Sequence, residues 1–330
     1  MDQTTSINLR RLRQSRAVRE LVQEYRVSVE QMIQPLFVVE GITSQQMIPG
    51  LTGTFRDTPE TVLKTIEKDI EAGVRKFILF GVPVEKGENQ LSPAFTSYQI
   101  EEIRKQFGND IFIAVDVCLC SSTTHGQCGV LSPEKDHVDN SATVQELANF
   151  ALSYAQAGAD CLAPSDMMDG RVAAIRKVLK DSQLNHKLIM SYSAKFHSRF
   201  YGPFRLAADS APKGDLKLKD RATYQIDSAS PKDAYLSSLR DLEEGADILM
   251  VKPGLPYLDV LSRLSSQIQK PWAVYQVSGE YAAIELLAQQ GLMNGPAAHV
   301  EVWTAFIRAG ASIIITYGAR FARNYLRSME

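Results

Sequence analysis

The chain has little of what marks several common protein classes. Four cysteines in 330 residues are too few for a disulfide scaffold of the secreted kind. No apolar run approaches the roughly 18 residues that a membrane helix needs. The opening Met1-Asp2-Gln3-Thr4-Thr5-Ser6 leads into arginines and not into a hydrophobic signal core, which argues against secretion. An excess of one charge is also missing. The net charge is -2 and the pI about 6.3, so no global field draws in nucleic acid or an anionic membrane. There is no Gly-rich dinucleotide fingerprint. These absences lead us to expect a soluble cytoplasmic protein, and an apolar content of 45% is enough to bury a large core.

What is present is a repeat of helix, glycine and apolar strand. Glu71-Ala72-Gly73 precedes Lys76-Phe77-Ile78-Leu79-Phe80-Gly81, and Ala157-Gly158-Ala159-Asp160 precedes Cys161-Leu162-Ala163-Pro164. Glu244-Gly245-Ala246-Asp247 precedes Ile248-Leu249-Met250-Val251-Lys252, and Ala309-Gly310-Ala311 precedes Ile313-Ile314-Ile315-Thr316-Tyr317. Glycine after a helix supplies the left-handed residue that stops it. Continuously apolar strands are those of a parallel sheet buried on both faces. Val144, Leu147, Ala148, Ala151, Leu152 and Ala155 share one face at a 3.6-residue period, as an amphipathic helix requires. Thr58-Pro59 and Ser230-Pro231 each place an N-cap before a proline. Strands are predicted near 34–39, 76–81, 111–117, 159–163, 187–193, 247–252, 271–277 and 311–317. Eight β/α alternations predict an α/β chain folded as a (β/α)₈ TIM barrel.

Two regions depart from the repeat. Residues 1–30 carry Arg10, Arg11, Arg13, Arg16 and Arg19 and read as an N-terminal arm with a short helix, either a solvated basic segment or an arm packed on another subunit. Residues 31–330 form the barrel. Within it, about 196–220 is too long for an ordinary connection and reads as a lid.

In a barrel, the C-terminal ends of the strands face the active-site mouth. Those ends carry Asp116, Cys118 and Cys120, Ser165 and Asp166, Lys195, Lys252, Ser278 and Tyr317. Lys252 and Lys195 each leave an apolar strand, and a desolvated lysine beside a second cation becomes the neutral amine that makes imines. The plain alternative is a snorkelling side chain. Cys118 and Cys120 alternate along an extended segment, so their side chains share a side, and with Cys128 they can hold zinc with a fourth position free, as in catalytic sites. The competing readings are a structural zinc completed by His125, or core cysteines. Cys161, within a strand, reads as a small buried hydrophobe. Arg205, Arg221 and Gln225 flank the long loop, where arginine forks suit carboxylates and solvated charge is the alternative. His137, His186 and His299 lack apparent partners and read as structural.

The chain resembles the porphobilinogen synthase (5-aminolevulinate dehydratase) family. The resemblance is carried by Asp116-Val-Cys118-Leu-Cys120 through Thr124-His125-Gly126-Gln127-Cys128-Gly129, Ala163-Pro164-Ser165-Asp166-Met167-Met168-Asp169-Gly170-Arg171 and Tyr192-Ser193-Ala194-Lys195-Phe196. Phe200-Tyr201-Gly202-Pro203-Phe204-Arg205, Met250-Val251-Lys252-Pro253-Gly254 and Tyr275-Gln276-Val277-Ser278-Gly279-Glu280-Tyr281 complete it. It spans nearly the whole chain and is weakest in the first few residues, from Ala211 to Lys219 and in the last ten or so. It implies a TIM barrel whose arm embraces a neighbour, usually in a homo-octamer. It also implies condensation of two 5-aminolevulinate molecules to porphobilinogen, for tetrapyrrole and haem synthesis.

By the same resemblance, Lys252 holds the propionate-side substrate as an imine and Lys195 the acetate-side one, with Asp116 and Ser165 at the reacting centre. Arg205, Arg221 and Gln225 match acetate-side carboxylate binders, Ser278 and Tyr317 propionate-side ones, and Tyr201 and Phe204 fall among the substrate-contacting positions. Cys118, Cys120 and Cys128 match the ligands of a catalytic zinc. Three departures stand out. Ser237 replaces a glutamate of members with a stimulatory magnesium site, so that site is expected to be absent or weak. Gln127 replaces a histidine common beside the last zinc cysteine, and the lid carries extra residues around 211–219. The rival readings are a class I Schiff-base aldolase with structural zinc, which needs one reactive lysine, and a non-catalytic zinc or redox sensor on a retired barrel.

Overall fold

The computed structural model describes residues 9–88, 90–214 and 217–329. Eight parallel strands run in sequence order: β1 (Met32–Val39), β2 (Lys76–Val82), β3 (Phe112–Val117), β4 (Cys161–Pro164), β5 (Leu188–Lys195), β6 (Ile248–Lys252), β7 (Trp272–Tyr275) and β8 (Ile313–Ile315). The last pairs with the first through Met32↔Ile314 and Ile33↔Ile315, which closes the barrel. All eight predicted strands exist, with ends displaced by a few residues. A short hairpin, Gln46–Met47 with Phe55–Asp57, adds to the edge of β1.

Helices α1 (Arg16–Leu21), α2 (Pro59–Glu71), α3 (Ala94–Phe107), α4 (Asn140–Gln156), α5 (Arg171–Asp181), α6 (Gly202–Ala207) and α7 (Pro231–Glu243) precede β6. After it come α8 (Leu258–Gln267), α9 (Ser278–Gln289), α10 (Gly295–Arg308) and α11 (Ala319–Ser328). One core lies between strands and helices, with Val115, Leu147, Ala151, Ile175 and Val251 among its buried members. A second fills the barrel with Phe37, Ile78, Cys161, Met190, Tyr192, Tyr275 and Tyr317. Cys161 is therefore a small buried hydrophobe, as read from the sequence.

Helix starts follow the predicted chemistry in part. The Thr58 hydroxyl accepts from Glu60 and Thr61 amides ahead of Pro59. Ser230 also precedes a proline at the first helical position, but its side chain makes no capping hydrogen bond. Its ψ of 64° lies far from the extended value that aims an N-cap oxygen at the helix amides.

The Gly-Ala-Asp turns do more than end helices. Gly158 and Gly245 take φ of +109° and +104°, which favour glycine. Asp160 then binds Ile113 twice, its amide donating to Ile113 O and its carboxylate accepting from Ile113 N at 2.8 Å. Arg104 of α3 spans the turn, donating to Gly158 O at 2.9 Å and to Asp160 at 2.7 Å. The same clamp recurs two units along with Arg176, Gly245, Asp247 and Ile189. Both fix strand register at the N-terminal face and leave the opposite face for the site.

The arm contains a 3₁₀ turn, Leu9–Arg13, before α1, so its short helix is present; residues 1–8 of the arm lie outside the described part. The lid region holds a 3₁₀ turn (Arg199–Tyr201) and α6, and residues 215 and 216 of it also lie outside. Among the described residues no helix is long and apolar enough to cross a membrane.

Candidate active site

Strand register decides the centre of the site. Lys195 ends β5, Lys252 ends β6, and the two are paired Cα partners across a ladder with an irregularity between Ser191 and Ala194. Both side chains are about 95% buried. The Lys252 ammonium nitrogen lies 3.9 Å from the Tyr275 ring centroid, 4.9 Å from Phe204, 5.0 Å from Tyr192 and 5.6 Å from Tyr201. Burial first, and the charge of Lys195 second, push the Lys252 amine well below the ordinary lysine range. Lys195 stands 5.6 Å from the Tyr192 ring and donates to Ser165 O. The two lysines therefore sit in different settings, one against aromatic faces and one on a carbonyl.

Asp116 on β3 and Ser165 after β4 border the same recess. Burial raises the Asp116 carboxyl above its usual range, opposed by the Lys195 charge and a hydrogen bond from Ser165, and its Oδ1 has no protein partner. A carboxyl whose proton affinity is raised in this way, beside two amines, is a candidate for moving protons.

Cys118, Cys120 and Cys128 converge, their sulfurs all within 4.8 Å of one another and the first two 3.3 Å apart. Four-coordinate zinc with sulfur at about 2.3 Å needs sulfurs roughly 4 Å apart, so the set fits one tetrahedral ion. Cys118 and Cys120 follow β3 in a turn and not in the extended segment read from the sequence. That turn folds their side chains together, where pleated alternation was expected to do so. His125 Nδ1 accepts from the Gln127 amide and its Nε2 has no partner, and it is absent from the sulfur cluster. Only Cys120 of the three borders the recess with the lysines.

Arg205 and Arg221 border it from the lid side. Neither guanidinium pairs with a carboxylate among the described residues. Arg221 is held by Gly126 O and Ser210 O, yet both Nε atoms are enclosed without partners. Burial and the like charge of Arg221 lower the Arg205 guanidinium from its usual value. Gln225 Nε2 and Oε1 are also enclosed and unpartnered. Buried donors of this kind cost stability unless a ligand satisfies them, and two arginine forks beside an amide suit a carboxylate.

Tyr201 and Phe204 border the recess, the Tyr201 hydroxyl donating to Phe196 O at 2.7 Å. Ser278 and Tyr317 lie one layer away. The Ser278 hydroxyl accepts from the Phe204 amide at 3.0 Å, and the Tyr317 hydroxyl meets that of Tyr275 at 3.3 Å. Side chains nearly fill the recess, leaving about 10 Å³, the space of roughly one water.

Three features escaped the sequence reading. Tyr192 and Tyr275 flank the lysines; tyrosines near the ends of three barrel strands were the available signal. Glu280 accepts from the amides of Gly254, Leu255 and Val277 and braces the turn after Lys252, with burial raising its acid to about 7. His299 does have a partner, Glu285 at 2.9 Å, fourteen residues away on another helix and invisible to local pattern.

Comparison with known proteins agrees with this geometry. A family model described as "Delta-aminolevulinic acid dehydratase" matches residues 6–325. The delta-aminolevulinic acid dehydratase of Helicobacter pylori is 41% identical over 97% of this chain and 98% of its own length. That of Bacillus subtilis is 38% identical over 96% and 97%. The solved structure of the Toxoplasma gondii enzyme in complex with the reaction product porphobilinogen superposes with a TM-score of 0.92 at 38% identity, covering 96% of this chain and 91% of that one.

Proposed function

The chain belongs to the delta-aminolevulinic acid dehydratase family, and from that premise we propose that it joins two 5-aminolevulinate molecules through imines on Lys252 and Lys195. The observation that carries the reading is the convergence on one enclosed recess of two buried lysines, two arginines that pair with no carboxylate among the described residues, and Cys120 of the three-sulfur cluster.

Lys252, with its depressed basicity, attacks the ketone of one substrate and releases water, leaving an imine. Lys195 holds the second substrate in the same way, and carbon–nitrogen and carbon–carbon bond formation between the two then yields the pyrrole. The balance is two 5-aminolevulinate in, one porphobilinogen and two waters out, with each lysine regenerated. Arg205, Arg221 and Gln225 bind the carboxylate of the acetate-side substrate. Ser278 and Tyr317 are assigned to the propionate-side carboxylate, which requires Ser278 to give up part of its bonding to the lid. These unlike carboxylate sites keep two identical molecules in unequal roles. Asp116, with Ser165 beside it, relays protons, and Tyr201 and Phe204 exclude water that would hydrolyse the imines.

Cys118, Cys120 and Cys128 are assigned to zinc, which when bound supplies a Lewis acid able to polarise a carbonyl or bound water. No stimulatory magnesium is proposed: Ser237 offers a hydroxyl that accepts from Arg240 at 3.1 Å, and this guanidinium also bonds Asp169 and Asp241. We further assign the arm to contacts with a second copy in a homo-octamer, and the enzyme to the cytoplasm.

The test is incubation with 5-aminolevulinate, an aldehyde colour assay for the pyrrole, and borohydride reduction followed by peptide mapping. We expect pyrrole, loss of activity with a chelator, recovery with zinc, and substrate trapped on Lys252. Full turnover by a Lys252→Ala variant would end the proposal. The rival aldolase reading expects no pyrrole and a single trapped lysine.

A further inference from the structure

Gln127 stands beside the last of the three clustered cysteines and is fully buried. Its amide nitrogen donates to Leu218 O at 3.1 Å and Asp220 O at 3.3 Å. Its amide oxygen accepts from the Tyr224 hydroxyl at 2.6 Å, and that hydroxyl in turn accepts from the Cys128 amide at 3.2 Å. The orientation is fixed by chemistry, because the reversed amide would set its oxygen against two carbonyl oxygens. One neighbour along, Gly126 O accepts from Arg221. The segment 218–225, which carries Arg221 and Gln225, is therefore fastened to the cysteine loop by the buried Gln127 side chain, with Arg221 on Gly126 O and Tyr224 on the Cys128 amide beside it.

We propose that Gln127 is a positioning residue that fixes the cysteine loop against the arginine-bearing segment, so that metal affinity and substrate affinity are set together. The inference rests on the function proposed above. A primary amide suits the task because it offers two donors in one direction and an acceptor in the other. Leucine has similar bulk and neither donor nor acceptor, so it leaves two carbonyls and the Tyr224 hydroxyl without their partner.

Cobalt titration of metal-free protein, followed by thiolate-to-cobalt absorption, reads the sulfur cluster without turnover. In Gln127→Leu we expect cobalt affinity to fall about tenfold, within the range usual for groups that orient metal ligands, while KM for 5-aminolevulinate rises by a similar factor and kcat changes less. Tyr224→Phe, which deletes one hydroxyl of the same chain, is expected to weaken cobalt binding about threefold. It decides the matter if Gln127→Leu does not fold. Cobalt affinity within twofold of the parent in the folded variants overturns the proposal, as does a lowered melting temperature with both affinities intact. A parent chain inactive on 5-aminolevulinate would sink the proposed function, and the cobalt measurement would still judge the role of Gln127.

Discussion

Lys252 has a cost that can be measured. Its folded-state basicity is depressed by burial and by Lys195, while in the unfolded chain it titrates like any lysine. Between those two values the unfolded state binds more protons, so this residue makes stability rise with pH across that window and weighs against folding at neutral pH. Lys252→Met, similar in length and uncharged, is therefore expected to abolish turnover and raise stability at pH 7 by about 1 kcal/mol, the usual size of a gain when a functional site is relaxed. Unfolding experiments on both proteins from pH 7 to 10 check it. The gap should narrow as pH rises, and a methionine variant less stable at pH 7 would refute the argument. This lysine was legible because its stem leaves an apolar strand and a second lysine ends the neighbouring one. Its neighbours Tyr192 and Tyr275 were not, since only the parallel pairing of β5 and β7 with β6 sets them on either side of it.

At the scale of elements, the two Gly-Ala-Asp clamps hold the register on which the site depends. Asp160 accepts from a strand amide and from Arg104 at once. Asp160→Ala leaves that amide and the guanidinium short of an acceptor, a loss of about 2 kcal/mol, whereas Asp160→Asn keeps an acceptor and should cost about half as much. Unfolding midpoints at fixed protein concentration measure both; equal losses would show that the carboxylate's acceptor role is not the source. The glycine and aspartate of these turns could be read as helix stops. Their partners could not, because Arg104 and Arg176 lie more than fifty residues upstream. The cysteines show the reverse. Their grouping was plain from spacing, but a turn and not a pleated strand brings their sulfurs together.

For the whole molecule, the arm is the open surface. Leu9, Leu12, Leu21, Val22 and Tyr25 are all 41% exposed or more, and a groove lined by Leu9, Leu12 and Arg13 of the arm runs against Val300, Thr304 and Leu326 of α10 and α11. Contiguous exposed apolar groups mark interaction surfaces. For the homo-octamer proposed above, deleting residues 1–26 is expected to yield smaller species, read by light scattering or native mass measurement. An unchanged number of subunits would rule the arm out as an assembly contact.

The eight-fold alternation, the two strand-end lysines and the three grouped cysteines were determined by the sequence alone, because helix stops, buried strands and thiolate spacing are local patterns. Tertiary structure decided the rest: that both lysines face one recess, that Arg205 and Arg221 from either end of the long loop border it with them, and that Gln127 ties the segment after that loop to the cysteine loop. These relations depend on closing a barrel over hundreds of residues and on packing a long loop across its mouth. No short-range preference encodes either.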